Sequence, residues 1–213
     1  KFMQYQKAAN GFIKLVTVAP ELPDAVAFIS EVADSGVVVS LGHSTATAEE
    51  VNRALDAGAK SFTHFGNAMS QMDRLNLNMV GSAMASDAFA EVIVDGKHVN
   101  REVVKLLVKT KGASKVIGIT DSIMATGLAD GNYTLGATDV VVTGGDAFVK
   151  GTTTRAGSTL DAYTGLANTV AFCGLSLVEA LSIWTINPAK LVGLDSRIGT
   201  IEIGKDADFI LFG

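Results

Sequence analysis

Four residues with chemically useful side chains follow short apolar runs of the sequence. They are His43 after "VVVSLG", His64 after "KSFT", His98 in "VIVDGKH" and Asp121 after "KVIGIT". Neutral imidazoles bind Zn²⁺ and similar divalent ions, and a nearby carboxylate can accept and return the protons of an attacking water molecule. These residue types together predict metal-assisted hydrolysis.

The spacing of the four residues predicts different roles for them. His43 and His64 are separated by one strand–helix unit, so we expect them to come from adjacent strands and to form the metal pair. Asp121 follows the last run of the series and is the expected general acid and base. His98 lies further into its loop and is expected to bind substrate or to polarise a carbonyl. Each residue taken alone is also compatible with a structural role, but four of them at one edge favour a site.

The elements that must position these residues alternate along the first 120 residues. Continuous β-branched segments such as "GVVVSL" and "SKVIGI" are typical of strands buried on both faces of a parallel sheet. A capping box at Thr47 and Glu50 and a capping residue at Asn100 open two of the intervening helices. The carboxyl ends of parallel strands lie at one edge, where active sites form. The order predicts an α/β fold, either a (β/α) barrel or an open doubly wound sheet.

The pattern changes after Gly127. Residues 131–150 predict a hairpin-rich insertion with a Gly-Gly turn. Helices are expected over 159–172 and 176–186, the second opening with a capping box at Ser176 and Glu179 and stopping before Asn187-Pro188. The tail "RIGTIEIGKDADFILFG" predicts two strand segments around a Gly-Lys-Asp turn.

Composition restricts the class of partner. The chain of 213 residues carries 17 basic and 22 acidic residues, a formal charge of −5, without a block of like charge that would bind nucleic acid or a membrane surface. No apolar run reaches the roughly 18 residues of a membrane span, and we expect a cytoplasmic protein that binds a small molecule. The single cysteine, Cys173, has the neighbours of a small core residue.

Several motifs in succession resemble the N-acetylglucosamine-6-phosphate deacetylase family of the amidohydrolase superfamily. They are "KLVTVAPE", "GHSTAT", "THFGNAM", "VIVDGKHV", "ITDSIMATG", "AGSTL", "NPAKLVGLD" and "GTIEIGKDADFILF". The resemblance covers essentially the whole chain. It implies a partial (β/α)₈ TIM-type barrel of about five strands over residues 1–192, and a remnant of a small β-sandwich domain over 193–213.

The resemblance also implies a reaction and a set of site residues. The family removes acetate from N-acetylglucosamine 6-phosphate by means of a divalent metal, with zinc expected first and Fe, Mn, Co or Ni also accepted. Carried onto this sequence, His43 and His64 become metal ligands, Asp121 the catalytic acid and base, and His98 a substrate-binding residue. Asn67 and Ala68 would hold the sugar phosphate through the side-chain amide and a backbone N–H. A homodimer or higher self-association is expected.

Two departures from the family pattern concern the metal and the phosphate. The family's third ligand is a Glu in a His-Leu-Glu-Gly-Pro motif of an earlier strand, and this motif is not present in the sequence. Glu21 in "APE" is an alternative third ligand. Arg74 in "SQMDRLNLN" stands close to the family's phosphate-binding arginine but is shifted by one position, so a solvent-exposed loop arginine is the competing interpretation.

Three hypotheses remain open at this point. The chain is part of an active deacetylase, or it belongs to another amidohydrolase such as a deaminase or a cyclic amidase, or it is an inactive truncated barrel. The small number of histidines disfavours the second, because binuclear members need more ligands. The third predicts self-association through two exposed parallel edges of an unclosed sheet.

Overall fold

Five parallel strands form the larger of two sheets in the computed structural model, which describes residues 1–211. Their order in the sheet is the order in the chain, which is the arrangement of consecutive units in a (β/α)₈ barrel. The predicted α/β fold with five strands of a barrel is confirmed. The strands are β1 (Leu15–Val18), β2 (Val38–Leu41), β3 (Ser61–Phe62), β4 (Phe89–Ile93) and β5 (Val116–Ile119).

Eight α-helices connect or flank the strands of the described chain, and a short 3₁₀ turn at Ala113–Lys115 precedes β5. The helices are α1 (Phe2–Ala8), α2 (Ala25–Asp34), α3 (Ala48–Asp56), α4 (Asn78–Ala85), α5 (Arg101–Lys111), α6 (Ala162–Cys173), α7 (Leu177–Trp184) and α8 (Ile186–Leu191). Within residues 1–211, no helix has the length and apolar character needed to cross a bilayer.

The main core lies between the five strands and helices α2 to α5. Val39 and Leu41 of β2, Phe62 of β3 and Val92 of β4 are almost completely buried in one cluster with residues from each of these helices. Side chains of this size each contribute roughly 1.5–3 kcal/mol on burial, so packing of the helices on the sheet fixes the strands that carry the site.

Local capping signals predicted the starts of α3, α5 and α7 correctly. Thr47 and Ser176 each form the predicted capping box, and the Asn100 side chain accepts the N–H of Glu102. The predicted helix over 176–186 is interrupted at Thr185, after which α8 continues through Pro188. Proline is tolerated there because the first turn of a helix has no intrahelical acceptors for its N–H groups.

A second, antiparallel sheet forms the predicted hairpin insertion. Its strands are β6 (Gly131–Leu135), β7 (Thr138–Thr143) and β8 (Asp146–Val149), paired in sequence order. The β7–β8 turn is Gly144–Gly145, and both residues have positive φ as a two-residue hairpin turn of this kind requires. Val140 and Val142 bury one face of this sheet.

The tail differs from its prediction. Within residues 193–211 the structure assigns no strand, so the two predicted strand segments are not formed there, and residues 212–213 lie outside the described residues. Ile201, Ile203 and Phe209 are exposed, and no described strand lies beside them. A β-strand needs a neighbour to accept and donate its backbone hydrogen bonds, which explains why the predicted segments do not form strands here. The division at residue 192 stays a prediction.

Candidate active site

Four of the predicted site residues lie in strained turns that follow the carboxyl ends of the parallel strands. Seven non-glycine residues within 1–211 have positive φ; four of them are predicted site residues, and the other three are Asn or Asp, residue types that tolerate this conformation as Asp121 also does. The four site residues are His43 (φ 48°), His64 (φ 34°), Ala68 (φ 47°) and Asp121 (φ 51°). Such conformations cost about 1–3 kcal/mol each and persist where the surrounding structure holds them, which occurs most often at functional sites.

The two histidines predicted as a metal pair are in contact. The ring centroids of His43 and His64 are 4.7 Å apart with an angle of 67° between the rings. His64 is buried, whereas His43 is exposed. Burial and the neighbouring His43 lower the pKa of His64, and the charge of Asp121 only partly counters them. His64 is therefore neutral at physiological pH, which is the form that binds a metal.

The donor chemistry of this pair suits a divalent metal ion. The Nδ1 atom of His64 is buried without a hydrogen-bond partner among the described residues, an arrangement that costs free energy unless a ligand satisfies it. The two imidazoles account for two ligands. A third is not supplied within residues 1–211, because no three His, Cys, Asp or Glu side chains are grouped to hold an ion. The pair thus fits part of a zinc-type site.

Glu21, the alternative third ligand, is not grouped with His43 and His64 within residues 1–211. Both of its carboxylate oxygens are engaged: Oε2 accepts the hydroxyl of Ser44 at 2.6 Å, and Oε1 accepts the N–H of Thr45 at 2.8 Å. Although burial would raise the pKa of Glu21, these hydrogen bonds outweigh it and hold the pKa below its usual value. The carboxylate supports the backbone that follows His43.

His98 is held by an aspartate that the sequence analysis did not single out. Its Nδ1 lies 2.7 Å from Oδ2 of Asp95, while Oδ1 of Asp95 accepts the N–H groups of Lys97 and His98, each at 2.8 Å. Burial opposes ionisation of Asp95, but these hydrogen bonds prevail and lower its pKa. With Asp95 ionised, His98 donates from Nδ1–H and keeps Nε2 for another partner. An Asp three residues before a His was the signal that could have indicated this pair.

The predicted phosphate-binding residues occupy the loop after β3. The Asn67 amide nitrogen donates to the carbonyls of His64 at 3.1 Å and Phe65 at 3.3 Å, so it caps its own turn, and binding phosphate would require these bonds to be exchanged. Ala68 is exposed and its carbonyl accepts the N–H of Ser44. Arg74 is exposed in the segment that precedes α4. Its role stays a prediction.

Asp121 is exposed just beyond β5, and its backbone is fixed by the "AGSTL" segment. The N–H of Ser158 donates to the Asp121 carbonyl at 2.7 Å, the Ser158 hydroxyl donates to the carbonyl of Thr120, and the N–H of Ile123 donates to the Ser158 carbonyl at 3.0 Å. These bonds accompany one parallel bridge between Ser122 and Ser158 just past β5. The Asp121 carboxylate lies on the same edge as His64, whose pKa its charge affects.

The sequence analysis also did not identify a buried carboxylate on the strands that lead to the histidines. Glu91 of β4 is 7% exposed, and its Oε1 accepts the hydroxyls of Ser61 at 2.7 Å and Ser40 at 3.0 Å. The Thr63 hydroxyl donates in turn to Ser40 at 2.7 Å. This network joins the strands that end in His43, His64 and the His98 loop. Only the three-dimensional register brings these residues together, because they are far apart in sequence.

We expect Glu91→Gln to change the pH dependence of folding. Burial raises the pKa of Glu91, and the two hydroxyl donors counter it only in part. The folded chain therefore binds this proton more tightly than the unfolded chain, in which a Glu has a pKa of about 4.3. As the pH rises from the unfolded pKa to the folded pKa, the free energy of unfolding falls by about 1.4 kcal/mol for each pH unit. Urea unfolding of both proteins from pH 4 to 8 should show this fall only in the wild type. Parallel curves would contradict the expectation.

Comparison with known proteins identifies the family. Residues 4–213 match the amidohydrolase family. The chain is 37% identical over 211 residues to N-acetylglucosamine-6-phosphate deacetylase from Bacillus subtilis, covering 99% of this chain and 53% of that protein. It is 32% identical over 199 residues to N-acetylgalactosamine-6-phosphate deacetylase from Escherichia coli O157:H7, covering 93% of this chain and 52% of that protein.

A solved structure agrees closely with the fold. N-acetyl-D-glucosamine-6-phosphate deacetylase from Mycobacterium smegmatis, an aspartate-to-alanine mutant in complex with N-acetyl-D-glucosamine 6-phosphate, superposes with a TM-score of 0.92 at 36% identity, covering 97% of this chain and 55% of that one. The chain spans about half the length of the relatives it matches. Amidohydrolases are generally metal-dependent, in agreement with the histidine pair. The chain belongs to the amidohydrolase family.

Proposed function

We propose that the chain carries the catalytic edge of a metal-dependent deacetylase that hydrolyses N-acetylglucosamine 6-phosphate to glucosamine 6-phosphate and acetate. The observation that supports it most is the meeting of His43, His64 and Asp121 in strained turns at one edge of the parallel sheet. The similarity to deacetylases of two 6-phosphorylated N-acetyl amino sugars supports the same substrate class.

The geometry supports the following roles. His43 and His64 would hold a divalent ion, which supplies Lewis-acid polarisation of the acetamide carbonyl. Asp121 accepts a proton from the attacking water and returns it to the departing nitrogen as the C–N bond breaks, so that acetate and the free amine leave. His98, oriented by Asp95, offers Nε2 to the substrate. Zinc is the proposed metal, with Fe, Mn, Co or Ni as alternatives.

The sugar phosphate is proposed to lie over the loop after β3. The backbone N–H of Ala68 would donate to it, with Asn67 and Arg74 alongside. Ala68 has a positive φ, and a residue in this conformation can help to form a backbone concavity that binds anions. A cytoplasmic location remains part of the proposal.

The test is acetate release from N-acetylglucosamine 6-phosphate by the purified chain loaded with Zn²⁺, Mn²⁺ or Co²⁺. We expect metal-dependent release that is lost in His43→Ala. The N-acetylgalactosamine epimer measures specificity, and ammonia release measures a deaminase reaction instead. A folded, metal-loaded sample that releases no acetate would contradict the activity of the 213-residue chain, and ammonia in place of acetate would contradict the reaction class.

Self-association is proposed from the two ends of the larger sheet. Strands β1 and β5 each have a neighbour on one side only among the described residues, and unpaired parallel edges favour pairing with another chain. Light scattering after size-exclusion chromatography should therefore give a mass of at least twice 22.1 kDa. A monomer at all concentrations would contradict this part of the proposal.

We expect Gly157→Ala to reduce turnover by displacing Asp121. A Cβ at position 157 would lie 2.9 Å from the Asp121 carbonyl oxygen and 2.7 Å from Cγ2 of Ile123. The segment that holds Asp121 must then move away, and a displacement of about 1 Å can lower kcat by about 100-fold. Gly151→Ala is the matched control, because Gly151 also has positive φ but its Cβ would meet nothing within 4 Å. Equal kcat values for the two variants would contradict the expectation.

A further inference from the structure

The segment around His43 needs support that its own sequence does not supply. His43 has a φ of 48°, and Ser44, which follows it, is buried although it is polar. We call residues 43–45 the His43 turn. A left-handed conformation at a non-glycine residue is retained only when surrounding contacts hold it. The contacts of Ser44 and Thr45 therefore decide where the His43 ring lies.

One side of the His43 turn is held by Glu21, which lies just beyond β1. The Ser44 hydroxyl donates to Oε2 at 2.6 Å, and the Thr45 N–H donates to Oε1 at 2.8 Å. The same Ser44 oxygen accepts the N–H of Ala46 at 3.0 Å. A carboxylate bound through both oxygens to two successive residues restrains the orientation of the turn as well as its distance from β1.

The other side of the His43 turn is held by the loop that follows His64. The N–H of Ser44 donates to the carbonyl of Ala68 at 2.9 Å, and the N–H of Ser70 donates to the carbonyl of Ser44 at 3.0 Å. Ser44 is thus fixed between Glu21 and the loop that carries the second histidine. With that loop as the reference, the two hydrogen bonds to Glu21 restrain the separation of the two imidazoles from the β1 side.

We propose that Glu21 is a positioning residue for metal binding, which holds the His43 turn so that the two imidazoles share one ion. It acts through Ser44 and Thr45 without ligating the metal itself. The inference rests on the proposed function for the identity of the bound group, but its test reads metal affinity and is independent of acetate release. Loss of a partner of this kind lowers metal affinity by about 10- to 100-fold.

The test compares Co²⁺ affinity, measured by calorimetry, for the wild type, Glu21→Ala, Glu21→Gln and Ser44→Ala. Glu21→Ala should weaken binding by about 10- to 100-fold. Glu21→Gln should restore most of the affinity, because the amide oxygen can accept from Thr45 and the amide nitrogen can donate to the Ser44 oxygen. Ser44→Ala should give a smaller loss. Glu49→Gln is the control, since Glu49 is 83% exposed on α3 and pairs only weakly with Arg53 at 3.4 Å.

The outcomes separate positioning from direct ligation and from general stability. If Glu21→Gln binds Co²⁺ as weakly as Glu21→Ala does, the positioning role is overturned, because the charged carboxylate itself would then be the metal ligand. Unchanged affinity in Glu21→Ala, or a wild type that binds no Co²⁺, would overturn the proposal as well. Circular dichroism of the metal-free variants tests whether they fold. If Glu21→Ala does not fold, the Co²⁺ affinities of Ser44→Ala and Glu21→Gln are compared with that of the wild type instead. If Glu21→Ala loses Co²⁺ affinity and the wild type releases no acetate, the positioning role of Glu21 is supported and the proposed deacetylase activity is contradicted.

Discussion

Asp121→Asn is expected to lower kcat for acetate release by about 10²–10⁴-fold with little change in KM, because general acid–base catalysis contributes that factor. The amide has nearly the shape of the carboxylate but cannot accept the proton of the attacking water. The backbone hydrogen bonds to Ser158 do not involve the side chain, so the turn should be retained. Steady-state kinetics on the metal-loaded protein measure both constants.

Two further measurements make the Asp121 result specific. Asp139→Asn removes the same charge at an exposed position of β7 and should leave kcat within about twofold of the wild type, as expected for a surface substitution away from the site. Co²⁺ affinity should be similar in Asp121→Asn and in the wild type if Asp121 is not a principal ligand. A variant that keeps most of the wild-type kcat would show that another group transfers the proton.

The parts of the fold that were predicted correctly depend on local information or on repeated pattern. The capping residues at Thr47, Asn100 and Ser176 act within three residues of chain, so the sequence alone contains both partners. The meeting of His43 and His64 follows from parallel topology, because consecutive strands in a βα series place their carboxyl ends side by side. Neither inference requires knowledge of side-chain packing.

The parts that were missed depend on contacts between strands. Glu91 lies within an apolar run, and nothing in that run shows that Ser40 and Ser61 will face it across two strand pairs. Glu21 reaches Ser44 in the same way. Sequence reasoning offered Glu21 as a ligand because it counts carboxylates at strand ends, whereas the structure shows that its oxygens are already bonded. The partners of a carboxylate depend on the register between neighbouring strands. A sequence pattern indicates which face of the strand the side chain lies on, but not which residue of the next strand lies opposite it.

The role of glycine in β5 was not predicted either, and it leads to the largest expected effect on stability. A Cβ at Gly118 would lie 2.2 Å from Cε2 of Trp184, with two more ring atoms within 2.6 Å. The ring cannot retreat towards α6, because a Cβ at Gly165 would lie 2.3 Å from the same indole. The Trp184 Nε1–H also donates to the Thr169 hydroxyl at 2.9 Å. Both glycines thus make room for one partly buried ring.

Gly118→Ala is therefore expected to lower the free energy of unfolding by about 3 kcal/mol, the upper part of the usual cost of overpacking. Urea unfolding should show a lower midpoint with an unchanged slope. Gly131→Ala in β6, whose Cβ would meet only Tyr133 at 3.8 Å, should cost less than about 1 kcal/mol. Adding Trp184→Leu to Gly118→Ala should cost less than the two single changes together, because the clash is removed once. Additive costs would show that the indole is not the reason why position 118 requires glycine. The position of β5, and of Asp121 three residues further on, would then depend on other contacts.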